Sequence, residues 1–365
     1  MDRCTNCILP ESYPGITFNK EGVCRYCTEH EEKEYVGIER FLKEMRAFLR
    51  GKKDRNKDYD CMLGFSGGRD STYLLYYLTK KLNLKVLAYS VDHGYVPEQT
   101  RLNMKRTTDI LNVKLVVEKH NYLKKNLKHV ISSWITRPSL PRIEMFCTGC
   151  KLGIENGTLN YAKKNKIPGV VWGETNFEYN DYRFNLMKIN PNAGTNSMIL
   201  GVLSCYVKNP KWLLSPTYLI TQIKDYLYFF NVEKNFQKRG LMRFDPLLNN
   251  LRWVEKDVTS VIKNKLGWSR NPKSISTWRG DCTIALLKLY TYYEILGFND
   301  KVVNLSYLIR DHQINREEAL ERLEKEEKIP DNIVKDILND FGLDFFDFEE
   351  AVKKARKNYS MGIIR

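Results

Sequence analysis

The chain has 365 residues, of which 42% are hydrophobic and 28% charged, an ordinary balance for a folded, water-soluble protein. It contains no apolar run of about 18 residues, which excludes a membrane-spanning helix, and Met1-Asp2-Arg3-Cys4 opens no apolar segment of a secretory signal, so the cytoplasm is the expected compartment. The net charge of +15 suits polyanionic ligands such as nucleic acid, nucleotides or nucleotide-linked sugars, and its lysines are dispersed rather than gathered in one arm.

Cys4-Thr5-Asn6-Cys7 and Cys24-Arg25-Tyr26-Cys27 come first, two C-x-x-C pairs with 16 residues between them. Paired thiols in a cytosolic chain read as metal ligands before disulfides, and this spacing predicts a tetrahedral zinc ribbon over residues 1–35. So short a segment has little core, so the metal would supply its folding free energy. Ile38, Phe41, Leu42, Met45, Phe48 and Leu49 then repeat at helical spacing. A polar stretch, Gly51 to Lys57, ends that helix, and residues 36–57 read as helix and linker.

The main domain is expected over residues 58–256. It opens with Asp60-Cys61-Met62-Leu63-Gly64-Phe65-Ser66-Gly67-Gly68-Arg69-Asp70-Ser71, an apolar run that stops at a Gly-rich turn and passes straight into a helical pattern. Adjacent glycines permit positive φ and close backbone approach. A helix start presents unpaired N–H groups and a positive dipole end to an anion. Ser66 and Ser71 add hydroxyls and Arg69 a fixed charge, so the loop is suited to phosphate. It lacks the Walker A spacing, and Ser-Gly-Gly-x-Asp-Ser at a strand end resembles the PP-loop of ATP pyrophosphatases. That resemblance implies cleavage of ATP between the α and β phosphates.

Strands and helices alternate from there. Strands are expected at Lys85–Ser90, Val113–Val117 and Gly169–Trp172, and helices at Glu98–Leu111, Tyr122–Trp134 and Leu152–Lys164. Repeated βα units predict an α/β fold, a doubly wound parallel sheet with helices on both faces. Ligands of such sheets sit at the carboxyl ends of strands. Three features fall there: Ser66–Ser71, Val91-Asp92-His93-Gly94 and Gly173-Glu174-Thr175-Asn176. The stretch from Asn180 to Thr195 is polar and aromatic without period, a substrate loop or a surface insertion. Residues 257–365 read as a helical C-terminal region, with Asn315 capping a helix that begins Arg316-Glu317-Glu318.

Cys147-Thr148-Gly149-Cys150 is a third C-x-x-C, placed before the helix that leads to Gly169. With Cys282 it composes a second metal or iron–sulfur set, a redox pair, or simply buried thiols. Cys61, in a buried strand, and Cys205 read as core residues.

Several blocks together resemble the N-acetyl sugar amidotransferases of glycan biosynthesis, a PP-loop branch. They are Cys4–Pro10, Pro14–Phe18, Glu21–Cys24, the Ser66–Ser71 loop, Phe146–Cys150, Ile167–Glu174, and Leu305-Ser306 with Ile314–Leu320. Two blocks depart from that pattern. Val91–Gly94 looks more like tRNA-modifying relatives, and Trp278-Arg279-Gly280-Asp281-Cys282 has no counterpart in it. The resemblance implies that ATP and Mg²⁺ activate an acetamido oxygen as an adenylate, and that ammonia from a separate glutamine amidotransferase displaces AMP. It implies a phosphate site of Ser66, Gly67, Gly68, Asp70 and Ser71 and an adenosine site at Ser90, Val91, Asp92 and Gly173. Arg69 would neutralise phosphate, Asp70 would bind Mg²⁺, and Glu174 would orient ammonia or bind Mg²⁺. Asp70 also fits a plain helix-start carboxylate, and Glu174 a turn residue. The alternative is a tRNA-thiolating enzyme with sulfur as nucleophile and a cluster at Cys147, Cys150 and Cys282.

Overall fold

The computed structural model describes residues 2–178, 181–187, 207, 209–214, 219–220, 232–274 and 276–360. Its centre is a five-stranded sheet formed by β1 (Cys61–Gly64), β2 (Val86–Asp92), β3 (Leu115–Lys119), β4 (Gly169–Val171) and β5 (Met242–Phe244). The strand order is β3-β2-β1-β4-β5, and every pairing is parallel. The chain winds outward through β2 and β3, then returns past β1 to lay down β4 and β5. This makes the gap between β1 and β4 the switch point, the place where such sheets bind ligands.

Side-chain alternation explains why the central strands β1 and β2 are apolar on both faces over most of their length. In β1, Cys61 and Leu63 enter one core while Met62 enters the other; in β2, Val86 and Ala88 face the first and Leu87, Tyr89 and Val91 the second. A parallel sheet covered on both faces needs apolar residues on both. Helices α1 (Ile38–Arg50), α2 (Arg69–Tyr76), α3 (Glu98–Leu111), α4 (Asn121–Thr136) and α5 (Met145–Lys164) provide that cover. In α1, Phe41, Leu42, Met45 and Leu49 are buried, and the Phe41 ring meets Phe244 of β5 edge-on at 5.6 Å. Burying each such side chain stabilises by about 1.5–3 kcal/mol.

From Glu255 onward the described residues are helical: α6 (Glu255–Leu266), α7 (Thr283–Leu296), α8 (Asp300–Arg310), α9 (Arg316–Glu326), α10 (Asp331–Asp340) and α11 (Phe345–Ser360). α6 packs on α2, and α11 packs on both α4 and α7, so these helices are built onto the sheet domain. The expected boundary at residue 257 falls inside α6, whose first residue is Glu255. Asn315 does cap α9, its side chain accepting from the Glu318 N–H at 2.8 Å.

Local differences from the sequence expectation are small and have physical causes. β3 lies two residues later than the apolar run, because Val113 continues the turn that closes α3, its N–H donating to Thr108 O at 2.9 Å. β5 is three residues long and carries too little pattern to announce itself. α5 begins at Met145, so Cys147 and Cys150 lie in its first turns rather than ahead of it. Of the aperiodic stretch Asn180–Thr195 only residues 181–187 are described, as the short helix Asp181–Met187; Cys205 lies outside the described residues. No helix among the described residues is long and apolar enough to cross a membrane.

Candidate active site and metal centre

The turn after β1 is shaped by what its glycines touch. Gly67 has φ +74°, and a Cβ there would stand 2.4 Å from Met104 Cγ, so only glycine fits. Gly64 lies against Trp172, where a Cβ would meet the ring at 2.6 Å, and Gly173 lies against the backbone of Ser71 at 3.3 Å. The turns after β1 and β4 are thereby pressed together at the switch point. Inside the loop the Gly68 N–H donates to Ser66 Oγ at 3.2 Å, and Ser66 Oγ lies 3.1 Å from Ser71 Oγ. The Trp268 indole N–H donates to Gly67 O at 3.1 Å from beyond α6. Gly68 occupies the N-cap of α2 and brings no capping side chain, so the first-turn amides open onto the cavity.

Arg69 is not placed as the sequence suggests. Its side chain neither reaches over the phosphate turn nor points to solvent; it is 2% exposed. Nε and Nη2 donate to the two Asp70 carboxylate oxygens at 3.0 and 3.2 Å, and Nη1 donates to Glu255 at 2.9 Å and Thr277 at 3.0 Å. The guanidinium also lies against the Trp253 and Trp278 rings, 4.6 and 4.0 Å from their centroids, in the angle between the two rings, whose centroids are 5.5 Å apart. Glu255 in turn accepts from Arg322 at 2.7 Å, and both arginines outweigh burial to hold its carboxyl below the usual range. Asp70 shares in this closed network: its Oδ1 also accepts from the Trp253 indole N–H at 2.7 Å.

Ser90, Val91 and His93 at the end of β2 line the cavity. Asp92 does not line it. Its carboxylate accepts from the Gly94 N–H at 2.8 Å and pairs with Arg101 at 3.2 Å, which makes it a turn-forming residue rather than an adenosine contact. Burial lowers the His93 pKa despite the nearby carboxylates of Asp92 and Asp281. At the end of β4, Glu174 accepts from Arg243 at 2.9 Å and lies 3.5 Å from Lys151. Burial would raise its pKa, but those two cations hold it low, so it is a carboxylate at neutral pH. Glu155, one turn along α5 from Lys151, is pushed up by burial.

One cavity of about 690 Å³ joins these parts. Its walls carry the whole Gly64–Ser71 turn, Gly173 and Glu174, and the segment Ser276–Cys282 from the opposite side. Cys147, Cys150 and Cys282 also line it, Cys147 close to Glu144 and Lys288. Among the described residues the three thiols do not close to the mutual spacing of a metal cluster. Burial raises all three pKa values, Cys282 to about 11, so as free thiols they are protonated at neutral pH and poor redox nucleophiles. Glu144 is buried, and burial alone would raise its pKa. Arg183, Lys288 and Tyr292 outweigh that and bring it to about 2, so it stays charged. Lys288 donates to it at 2.7 Å and Tyr292 at 2.5 Å, while Arg183 pairs with both Glu144 and Asp300.

A separate centre lies at the N-terminus. The Sγ atoms of Cys4, Cys7, Cys24 and Cys27 all lie within 4.8 Å of one another. Cys4 and Cys27 are 3.9 Å apart and Cys7 and Cys24 3.8 Å. A tetrahedral four-thiolate site with metal–sulfur bonds of about 2.3 Å requires sulfurs about 3.8 Å apart, so the donor set fits a metal ion. Antiparallel bridges Arg3–Pro10 and Phe18–Cys24 shape the ribbon, and the N–H groups of Cys7 and Cys24 donate to Cys4 Sγ. Arg310 donates to Cys7 Sγ at 3.9 Å, and Arg316 donates to the carbonyls of Cys4 and Cys7. The ribbon is thus docked on α8 and α9 through cations that offset thiolate charge.

Trp253, Trp268, Trp278 and Asp281 belong to the site and went unassigned in the sequence. Each comes from a loop distant in the chain and carries no local signature; the departure of Trp278–Cys282 from the amidotransferase pattern was the one available hint.

Comparison with known proteins follows these lines. Residues 273–361 match the family model described as the LPS biosynthesis protein WbpG-like C-terminal domain. The matched segment runs from the loop before α7 to the end of α11. Over 337 residues, 92% of this chain and 97% of the other, the sequence is 22% identical to the uncharacterized protein MJ1599 of Methanocaldococcus jannaschii. Among solved structures, the U34-tRNA thiolase NcsA of Methanococcus maripaludis, determined with its 4Fe-4S cluster, is 14% identical; the superposition covers 90% of each chain with a TM-score of 0.33.

Proposed function

We propose that the chain is an ATP-dependent amidotransferase that converts the acetamido group of an N-acetylated, nucleotide-linked sugar into an acetamidino group. One observation carries this reading. The Ser66–Ser71 turn at the sheet's switch point and the segment matched by the WbpG-like domain face each other across a single cavity.

An amide oxygen is a poor leaving group, and joining it to AMP makes it a good one. The acetamido oxygen attacks the α-phosphorus, the bond to the β-phosphate oxygen breaks, and pyrophosphate leaves. Ammonia then adds to the acetamido carbon, the carbon–oxygen bond breaks, AMP departs with that oxygen, and one proton is lost as the amidine forms. The β and γ phosphates are held by the amides of Gly67, Gly68 and Asp70 with the Ser66 and Ser71 hydroxyls, while Ser90, Val91 and Gly173 border the adenosine. Fixed donors aimed at the leaving phosphates act in a water-poor cavity, where they are strongest. Mg²⁺ bound with the nucleotide supplies charge neutralisation on the departing pyrophosphate. Glu174, charged and fixed by Arg243 and Lys151, orients the incoming ammonia. A glutamine amidotransferase partner supplies that ammonia in the cytoplasm, and Zn²⁺ holds the ribbon.

The Ser66→Ala/Ser71→Ala double variant tests the site. With an acetamido sugar and ammonium present, pyrophosphate release falls roughly 10²-fold or more, as for loss of a transition-state donor. Stability stays within about 1 kcal/mol, since the two hydroxyls chiefly bond each other. Release at the wild-type rate would remove the loop from the reaction.

One observation favours a second reading. Cys147, Cys150 and Cys282 all line the same cavity, which suits a sulfur-transferring enzyme that adenylates a nucleobase. The protein purified without oxygen decides between them. Iron, sulfide, visible absorption and bound tRNA support thiolation; zinc alone, with turnover of an acetamido sugar, supports amidine synthesis.

A further inference from the structure

Asp281 is held over the phosphate loop. A Cβ placed on Gly68 would stand 3.0 Å from Asp281 Oδ2 and 3.2 Å from Ser66 Oγ. The segment that carries Asp281 is pinned on both sides. Lys301 Nζ donates to Trp278 O at 3.0 Å, the Trp278 N–H donates to Ser276 Oγ at 3.2 Å, and the Trp278 ring covers Arg69. Thr100 Oγ1 donates to Gly280 O at 3.4 Å, and both Oγ1 and N–H of Thr283 donate to Tyr95 O at 3.1 Å. Arg279 takes the left-handed region at φ 55°, an uncommon conformation for a side chain that large, to turn the chain at this point.

Despite this framework the Asp281 carboxylate makes no hydrogen bond or ion pair with a described residue. A bare carboxylate beside a cradle for polyphosphate repels the ligand unless a cation lies between them. The residue the motif itself offers is engaged: both Asp70 oxygens accept from Arg69, and one also from Trp253. Mg²⁺ is commonly held by one or two carboxylates together with substrate phosphates, with water completing its shell.

We infer that Asp281 is the protein's carboxylate ligand to the divalent cation that accompanies the β and γ phosphates. The C-terminal segment thereby supplies one side of the nucleotide site. This rests on the ATP reading above. It makes nucleotide binding depend on the docking of α7 and α8 onto the sheet domain.

Calorimetric titration of the full chain with α,β-methylene-ATP, in Mg²⁺ and in excess chelator, tests it without turnover. Wild-type affinity rises with Mg²⁺. Asp281→Asn and Asp281→Ser, which remove the charge with and without its volume, lose roughly tenfold or more of the Mg²⁺-dependent gain in affinity, and in chelator they bind at least as tightly as wild type because the bare charge is gone. If both variants keep the wild-type response to Mg²⁺, the assignment of Asp281 is overturned and the ATP reading stands. If the wild type binds no nucleotide under either condition, the ATP reading falls, and the inference with it.

Discussion

Arg69→Ala lowers the unfolding free energy by about 3–5 kcal/mol, the usual effect of breaking a buried ion pair from one side. The reason is the number of groups that lose a partner at once. Asp70 loses a bidentate donor, Glu255 and Thr277 lose Nη1, and two indole rings lose the cation that lies against both. Arg69→Lys recovers little of this, because an ammonium cannot reproduce the planar fork that meets both carboxylates and stacks on both rings. Urea unfolding of the three proteins checks it through their midpoints. If Arg69 instead neutralised phosphate, the alanine variant would unfold at the wild-type midpoint and fail only in nucleotide binding.

Cys4→Ser empties the N-terminal metal centre and opens the ribbon. Binding at structural four-ligand sites contributes about 10–16 kcal/mol in isolated peptides, so a segment this short keeps no fold once a ligand is lost. The effect reaches the body of the protein. Tyr13, just past the first knuckle, packs against Tyr182 and Phe298, with ring centroids 5.6 Å apart in each case, and Ser12 donates to Leu296 O at the end of α7. Metal analysis should fall from stoichiometric to near zero. Trypsin should then cut at Arg3, Lys20 and Arg25, which the folded ribbon protects. Undiminished metal with an unchanged cleavage pattern would remove the ribbon assignment.

Much of this architecture was legible in the sequence where local pattern and local structure coincide. The α/β class follows from apolar runs alternating with helical periods. The bounds of α3 are those expected, Glu98–Leu111, because Pro97 stands before its first residue and Asn112, in the left-handed region, follows its last. The Gly-rich turn after β1 and the gathering of the first two C-x-x-C pairs were legible because each feature is made by neighbours in the chain. The misreadings arise where a side chain's partners are remote. Arg69 beside two glycines looks like a phosphate cation until Trp253, Glu255, Thr277 and Trp278 are placed around it, and those residues are 184–209 positions away. Asp92 differs, since its partners Gly94 and Arg101 are two and nine residues away and only the turn's geometry turns its carboxylate to them. Asp281 was hard to read for the converse reason: beyond the departure of its Trp278–Cys282 block, nothing near it in the chain marks it, and its place opposite Gly68 comes from the fold.

The central claim is that an acetamido oxygen leaves on AMP. It is tested most directly by supplying an acetamido sugar whose carbonyl carries isotopically heavy oxygen, with ATP, Mg²⁺ and ammonium, and weighing the products. The account predicts pyrophosphate without label, AMP with one labelled phosphate oxygen, and a sugar in which nitrogen has replaced the labelled oxygen. Unlabelled AMP beside a sugar that keeps its heavy oxygen would contradict it.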